Sequence, residues 1–295
     1  MIVSFTTIPT RIPDSWIALD SLLNQDHQAD KILINLPKYH ARTGQSYEIP
    51  GVISGHPEYN KRFEVNHCDT IDYGPVMKIF GTVKYLKERN YPDDTVIVYC
   101  DDDVIYPKAM LGSYANLGNE SAWALGAFNF SPVSEGEEIT GVRGHGYNSQ
   151  VIEAFAGIRV TLGMFKDDFE DYIKACVCKD NGQHRSAIKY SDDVMMSNYY
   201  TKHSIPLRSV RRKNYDIHSI FKHVQEAYEA GFIHSTYDVK NAEKTPLCKA
   251  LSQNPQDTLT HQFIDGTYYY IPRYYKCLRD LDELKLLYIR YVLDS

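Results

Sequence analysis

The segment Thr95-Val96-Ile97-Val98-Tyr99-Cys100, followed at once by Asp101-Asp102-Asp103, constrains the fold of this chain more than any other. A short, β-branched, apolar run bounded by turn signals is the pattern of a strand buried on both faces of a parallel sheet. Three adjacent carboxylates at its carboxyl end repel one another, so a cation or solvent has to offset them. In open α/β sheets that end of a strand faces the ligand crevice. Asp101 and Asp103 alternate along an extended chain and share a side, whereas Asp102 points the other way or holds the loop. Carboxylate oxygens suit Mg²⁺ or Mn²⁺ that also binds phosphate. The competing explanation is an exposed acidic turn capping a helix that starts near Pro107.

The preceding residues alternate between strand and helix patterns. Ile2 to Phe5, Lys31 to Leu36 and Phe63 to Asn66 read as strands. Ser15 to Gln25 carries Trp16, Leu19 and Leu23 at helical spacing, and Val76 to Glu88 carries Val76, Ile79, Phe80, Val83 and Leu86 on one face. This alternation predicts a parallel sheet. Beyond the triplet, the pattern predicts helices over 107–117, 167–178 and 191–202, and strands over 122–128 and 207–210. The glycine-rich stretch 131–147 reads as a mobile loop. After about Glu226 tyrosine clusters appear, and Leu278 to Leu293 reads as a helix.

Bulk properties narrow the function classes. A chain of 295 residues holds one large α/β domain or two small ones. The formal net charge of -6 argues against a general nucleic-acid binder, which shows a basic face. The six cysteines include one close pair, Cys176 and Cys178, with no second pair at zinc-finger spacing, and read as reduced thiols. No apolar run approaches the ~20 residues of a transmembrane segment. No charged and apolar leader precedes Ile2, so the expectation is a cytoplasmic protein without a signal peptide.

Two further segments fall at the ends of predicted strands. In Phe5-Thr6-Thr7-Ile8-Pro9-Thr10-Arg11 the hydroxyls of Thr6 and Thr7, free amides and the Arg11 guanidinium suit a base, ribose or diphosphate. The alternative is a turn whose Arg11 pairs with a surface carboxylate. In Asp72-Tyr73-Gly74-Pro75-Val76-Met77-Lys78, Gly74 and Pro75 make a turn into a helix whose amides face outward. Lys78 is placed to reach a phosphate and Asp72 to accept from a base or ribose, unless the segment is an ordinary capped helix. Basic groups, amide donors and a carboxylate site on one edge suit a nucleoside diphosphate.

The motifs Val3-Ser4-Phe5-Thr6-Thr7-Ile8-Pro9-x-Arg11, Asp72-x-Gly74-Pro75-x-x-Lys78 and Asp101-Asp102-Asp103-x-Ile105-Tyr106-Pro107 resemble the nucleotide-sugar-binding motifs of GT-A fold glycosyltransferases. The nearest likeness is to small soluble glycosyltransferase domains encoded by large chlorella viruses and to similar bacterial enzymes. The resemblance implies an α/β, Rossmann-like, mostly parallel sheet flanked by helices. The resemblance covers about 1–223 and implies a catalytic domain over 1–225; residues 226–295 lie outside it and read, from their change of texture, as a mainly helical extension packed on that domain. It implies a metal on Asp101 and Asp103, a UDP-sugar as the most natural donor, a glycan acceptor and inversion.

Three more segments take their roles from that resemblance. In Ser191-Asp192-Asp193-Val194, Ser191 is a good N-cap, and acidic residues favour a helix's first turn in any protein. The likeness makes Asp193, or else Asp192, the base that deprotonates the acceptor hydroxyl. Glu153-Ala154-Phe155-Ala156-Gly157 is similar to the segment that lines the sugar cleft, where Gly157 permits close approach; it also reads as a buried strand with an edge glutamate. His218 is a further candidate metal ligand or a structural histidine. The rival activities are a nucleotidyltransferase, whose glycine-rich basic signature near the first strand is missing here, and a non-catalytic glycan-binding protein on the same fold.

Overall fold

The computed structural model describes residues 1–133, 136–141, 145–179, 185–210, 262–264, 267–269 and 272–289. His218 and Cys248 lie outside them. The amino-terminal strands are β1 (Ile2–Phe5), β2 (Lys31–Pro37), β3 (Phe63–Cys68) and β4 (Val96–Tyr99). Next come β5 (Ala122–Val133), β6 (Gly136–Gly141), β7 (Val151–Thr161) and β8 (Leu207–Ser209). The helices are α1 (Trp16–Leu23), α2 (Gly51–Ser54), α3 (Met77–Glu88), α4 (Met110–Tyr114), α5 (Phe169–Val177), α6 (Ser186–Lys189) and α7 (Asp192–Lys202).

The central seven strands run β3-β2-β1-β4-β7-β5-β8. The contacts of β7 with β4 and β5 are antiparallel and the rest are parallel. This is a mixed α/β fold with a mostly parallel central sheet flanked by helices, as the alternation of strand and helix patterns predicts. Alternation along the strands separates two apolar layers: Ile2, Ile97 and Tyr99 face α3, α5 and α7, while Val3, Val98 and Cys100 face α1 and α4. A buried polar chain fixes α3 on the sheet. Asn35 Nδ2 donates to the Lys78 carbonyl and to Thr82 Oγ1, and Ser4 Oγ donates to the same carbonyl. Gly81 admits this contact, since a Cβ there would stand 2.6 Å from Asn35 Oδ1.

Several elements depart from the pattern reading. The stretch expected as a mobile glycine-rich loop contains β6, which pairs antiparallel with the outer half of β5. Strand pairing is carried by the backbone, and a sequence without alternation can still supply it. The helix expected over 107–117 is confined to α4. Gln25 Oε1 accepts the Leu111 amide, and Tyr106 is held by Ser21, so the segment before Met110 is fixed as a loop. In β7 the register against β5 slips between Ala124/Ile158 and Gly126/Glu153.

The carboxyl-terminal region adds a hairpin, β9 (Gln262–Ile264) and β10 (Thr267–Tyr269), to the β6 edge, followed by helix α8 (Pro272–Glu283). The helix was expected over 278–293. It starts earlier because proline suits a first helical position, and it stops before Lys285, whose φ is 56°. Tyr274 stacks on Phe128 and Tyr275 meets Phe130 edge-on, so α8 shares the core formed by α5 and α7. Asn198 Nδ2 of α7 donates to the Leu286 carbonyl, and its Oδ1 accepts the Tyr288 and Ile289 amides. The five described cysteines are free thiols, and all but Cys178 are buried. No helix among the described residues is long and apolar enough to cross a membrane.

Candidate functional site

The three motifs meet at the carboxyl ends of β1 and β4. The aspartate triplet leaves β4 in a turn pinned by Tyr106, whose hydroxyl accepts the Asp101 amide at 2.9 Å and donates to the Asp101 carbonyl at 3.0 Å. Arg11 comes from the turn after β1. Its Nη2 lies 2.8 Å from Asp102 Oδ1 and its Nη1 2.9 Å from Asp103 Oδ2. Burial alone would lower the Arg11 pKa, but Asp102, Asp103 and Asp101 outweigh it and raise it. Asp102 is buried with its side chain 4% exposed, whereas Asp101 and Asp103 keep 32% and 20%. Asp102 anchors the loop, but Asp102 and Asp103 converge on Arg11 while Asp101 turns to Lys78, so the simple alternation expected of the triplet is not seen; a turn, not an extended chain, carries the three residues. Burial pushes Asp103 up to about 7, with Arg11 opposing and Asp102 and Asp101 adding.

Lys78 departs from its expected role. It is not an exposed lysine waiting for a phosphate. Its side chain is 3% exposed, and its ammonium lies 2.5 Å from Asp101 Oδ1 and 2.9 Å from Asp192 Oδ2. Burial disfavours the ammonium, yet Asp101, Asp192 and Asp193 together hold its pKa well above the usual value. Lys78 thus ties the end of β4 to the start of α7.

The two candidate bases are separated by their partners. Asp192 is buried and committed to Lys78. Asp193 accepts the Ala154 amide through Oδ1 at 2.9 Å. Its pKa is raised well above the carboxylate range by burial and by Asp192, against the pull of Lys78. Ser191 stands at the N-cap of α7 but makes no side-chain capping bond. Ser197, one turn after Asp193, accepts the Ile152 amide, so α7 docks on the irregular stretch of β7 through two backbone groups. Glu153 belongs to that stretch, and burial with Asp101 nearby pushes it up to about 7.

The remaining expected residues serve inside the fold. Asp72 is buried, and each of its oxygens already serves the fold, accepting the Gly74 amide at 2.6 Å and the Ala41 amide at 2.9 Å. Thr6 Oγ1 donates to the Asn35 carbonyl, joining β1 to β2, and the Thr7 carbonyl accepts the Tyr47 hydroxyl. Gly74 has φ 82°, and a Cβ there would stand 2.9 Å from Lys189 Cγ. Gly157 has φ 83° at the β7 slip, and the space its missing side chain leaves faces Met110 and Tyr114. Lys189 escaped the sequence reading. It is buried, donates to the Asp72 carbonyl at 2.7 Å, and sits just before Asp192 and Asp193. Nothing in its local sequence marks it, because its partner is 117 positions away.

Asp101 and Asp103 are the candidate donors for a hard divalent cation; their side chains are 32% and 20% exposed, and each already pairs with one cationic side chain, Lys78 and Arg11 respectively. Among the described residues no three His, Cys, Asp or Glu side chains stand at metal-holding spacing. A cation here would rest on the two aspartates, with phosphate and water completing its shell.

No protein-family model matches the sequence. No curated protein matches it either. Among solved structures, the chain is similar to S. aureus TarS residues 1–349, at 13% identity over 96% of this chain and 79% of that one, with a TM-score of 0.42. It is also similar to the galactosyltransferase LgtC in complex with donor and acceptor sugar analogs, at 10% identity over 100% and 98%, TM-score 0.37. A third likeness is to the Francisella tularensis 2-C-methyl-D-erythritol 4-phosphate cytidylyltransferase, at 11% identity over 77% and 97%, TM-score 0.38. At such identities and TM-scores these likenesses say nothing about substrate.

Proposed function

We propose that this chain is a glycosyltransferase that moves a sugar from a nucleoside diphosphate sugar, a UDP-sugar for preference, to a hydroxyl of a glycan acceptor with inversion. The observation that carries the reading is the bridge through Lys78, which brings Asp101, at the end of β4, next to the Asp192-Asp193 pair at the start of α7. Mg²⁺ or Mn²⁺ on Asp101 and Asp103 would neutralise charge on the departing diphosphate. Arg11 keeps the aspartate turn in place and adds positive charge beside it. Asp193 takes the proton of the attacking hydroxyl. It suits this role better than Asp192, because Asp192 is committed to Lys78, whereas the Oδ2 of Asp193 has no partner among the described residues. Glu153 stands near enough to Asp101 and Asp193 to act on both electrostatically. His218 is proposed as a further ligand on the strength of the family likeness alone.

The test is calorimetric titration with UDP, with and without EDTA, followed by a screen of nucleotide sugars by thermal shift in Mn²⁺. Binding of UDP that EDTA weakens strongly supports the reading. Equal affinity in both conditions overturns its metal dependence, and no binding of any nucleotide sugar overturns the reading itself.

A further inference from the structure

Lys78 has a position that phosphate binding does not explain. It is buried on the inner side of α3, and its own carbonyl is held by Ser4 and Asn35. From that fixed root the ammonium reaches two carboxylates on different elements, Asp101 after β4 and Asp192 at the first turn of α7. Asp193 adds to the field it feels. One positive charge thus serves more negative charge than it can neutralise.

The geometry points to Lys78 as a positioning residue that transmits cation binding at Asp101 to the start of α7, and so to the Asp192-Asp193 pair. This rests on the donor-site reading above. When a divalent cation takes the Asp101 carboxylate, the attraction between Asp101 and Lys78 is offset and the two cations repel. The ammonium then belongs to Asp192 alone. Because α7 docks on β7 through Asp193 and Ser197, a change in the pull on Asp192 acts on the carboxylate that faces the acceptor. Donor loading and base placement become one event, which keeps Asp193 from acting before a cation and its diphosphate are present.

The methionines supply a readout that needs no substrate. Met77 precedes Lys78, and Met195 and Met196 follow Asp193 in α7; all three are buried. The experiment is a Mg²⁺ titration of protein carrying ¹³C-methyl methionine, with signals assigned by single Met→Leu variants. Mg²⁺ affinity is measured in parallel by thermal shift. In the natural protein the Met195 and Met196 signals are expected to move with the same midpoint as cation binding. In Lys78→Gln, cation binding should persist at roughly tenfold lower concentration, because a competing positive charge is gone, while the α7 signals no longer respond. Lys78→Arg should restore the response. Asp192→Asn, which keeps Lys78 and Asp101, should lose it and guards against a Lys78→Gln protein that fails to fold. Binding of Mg²⁺ with silent Met195 and Met196 signals in the natural protein overturns the transmission and leaves the donor-site reading intact. An unchanged response in Lys78→Gln or Asp192→Asn does the same. Absence of any Mg²⁺ effect, with Asp103→Asn indistinguishable from the natural protein, overturns both.

Discussion

Arg11 Nη2 lies 2.8 Å from Asp102 Oδ1, so the aspartate turn after β4 is fastened to the turn after β1 by a largely buried ion pair. The second arm of the same guanidinium reaches Asp103. Three consecutive aspartates persist at this strand end because each has a cationic partner: Arg11 for Asp102 and Asp103, and Lys78 for Asp101.

Replacing Arg11 by alanine leaves Asp102 buried without its cation. Breaking a buried pair from one side costs ~3–5 kcal/mol, and partial exposure of Arg11 reduces this to about 2–4 kcal/mol. Urea denaturation should show that loss. Arg11→Lys should recover only part of it, because an ammonium cannot serve two carboxylates in the fork geometry.

Asp193→Asn should spare UDP binding and lower kcat by ~10²–10⁴-fold, the usual contribution of a general base. Asp192→Asn should instead lower stability by about 1–3 kcal/mol, since it weakens the hold on a buried ammonium. Equilibrium unfolding and steady-state transfer, measured on both variants, separate the roles. Near-normal transfer by Asp193→Asn with its loss in Asp192→Asn would assign the base to Asp192.

Gly74→Ala should destabilise the protein by about 2 kcal/mol or more. The residue must keep φ 82°, which costs an L side chain ~1–2 kcal/mol, and its Cβ would press on Lys189. A melting temperature within a degree of the natural protein would refute this.

Asn198 is fully buried and joins α7 to the segment after α8 through three backbone groups. Asn198→Ala leaves them without partners, at a cost of ~3 kcal/mol. The expected sign is faster cleavage after α8 in limited proteolysis, before the sheet is attacked. Asn198→Asp should not rescue it, because a carboxylate cannot donate to the Leu286 carbonyl and would bury a charge.

The amino-terminal half was legible because its signals are local. Val3, Ile34 and Val98 lie in runs whose β-branching and length already define buried strands, and the spacing of Ile79, Val83 and Leu86 defines the face of α3. The aspartate triplet was legible for the same reason: charge at the end of an apolar strand is a contradiction that a sequence displays openly. The pairing of β6 was not legible, since backbone hydrogen bonds leave no side-chain pattern. Nor was the hairpin of β9 and β10.

Side-chain pairing across the fold divides what each level determined. The sequence alone established that carboxylates, a guanidinium and a lysine stand at strand ends and helix starts of an α/β sheet. Only the tertiary structure decided that Lys78 is spent on Asp101 and Asp192, that Asp72 takes two amides, and that Asp193 takes the Ala154 amide. Apart from the local bond between Asp72 and Gly74, those outcomes depend on distances between residues tens to more than a hundred positions apart. A buried charge takes whichever opposite charge the packing brings within ~3 Å, and no local pattern records that choice.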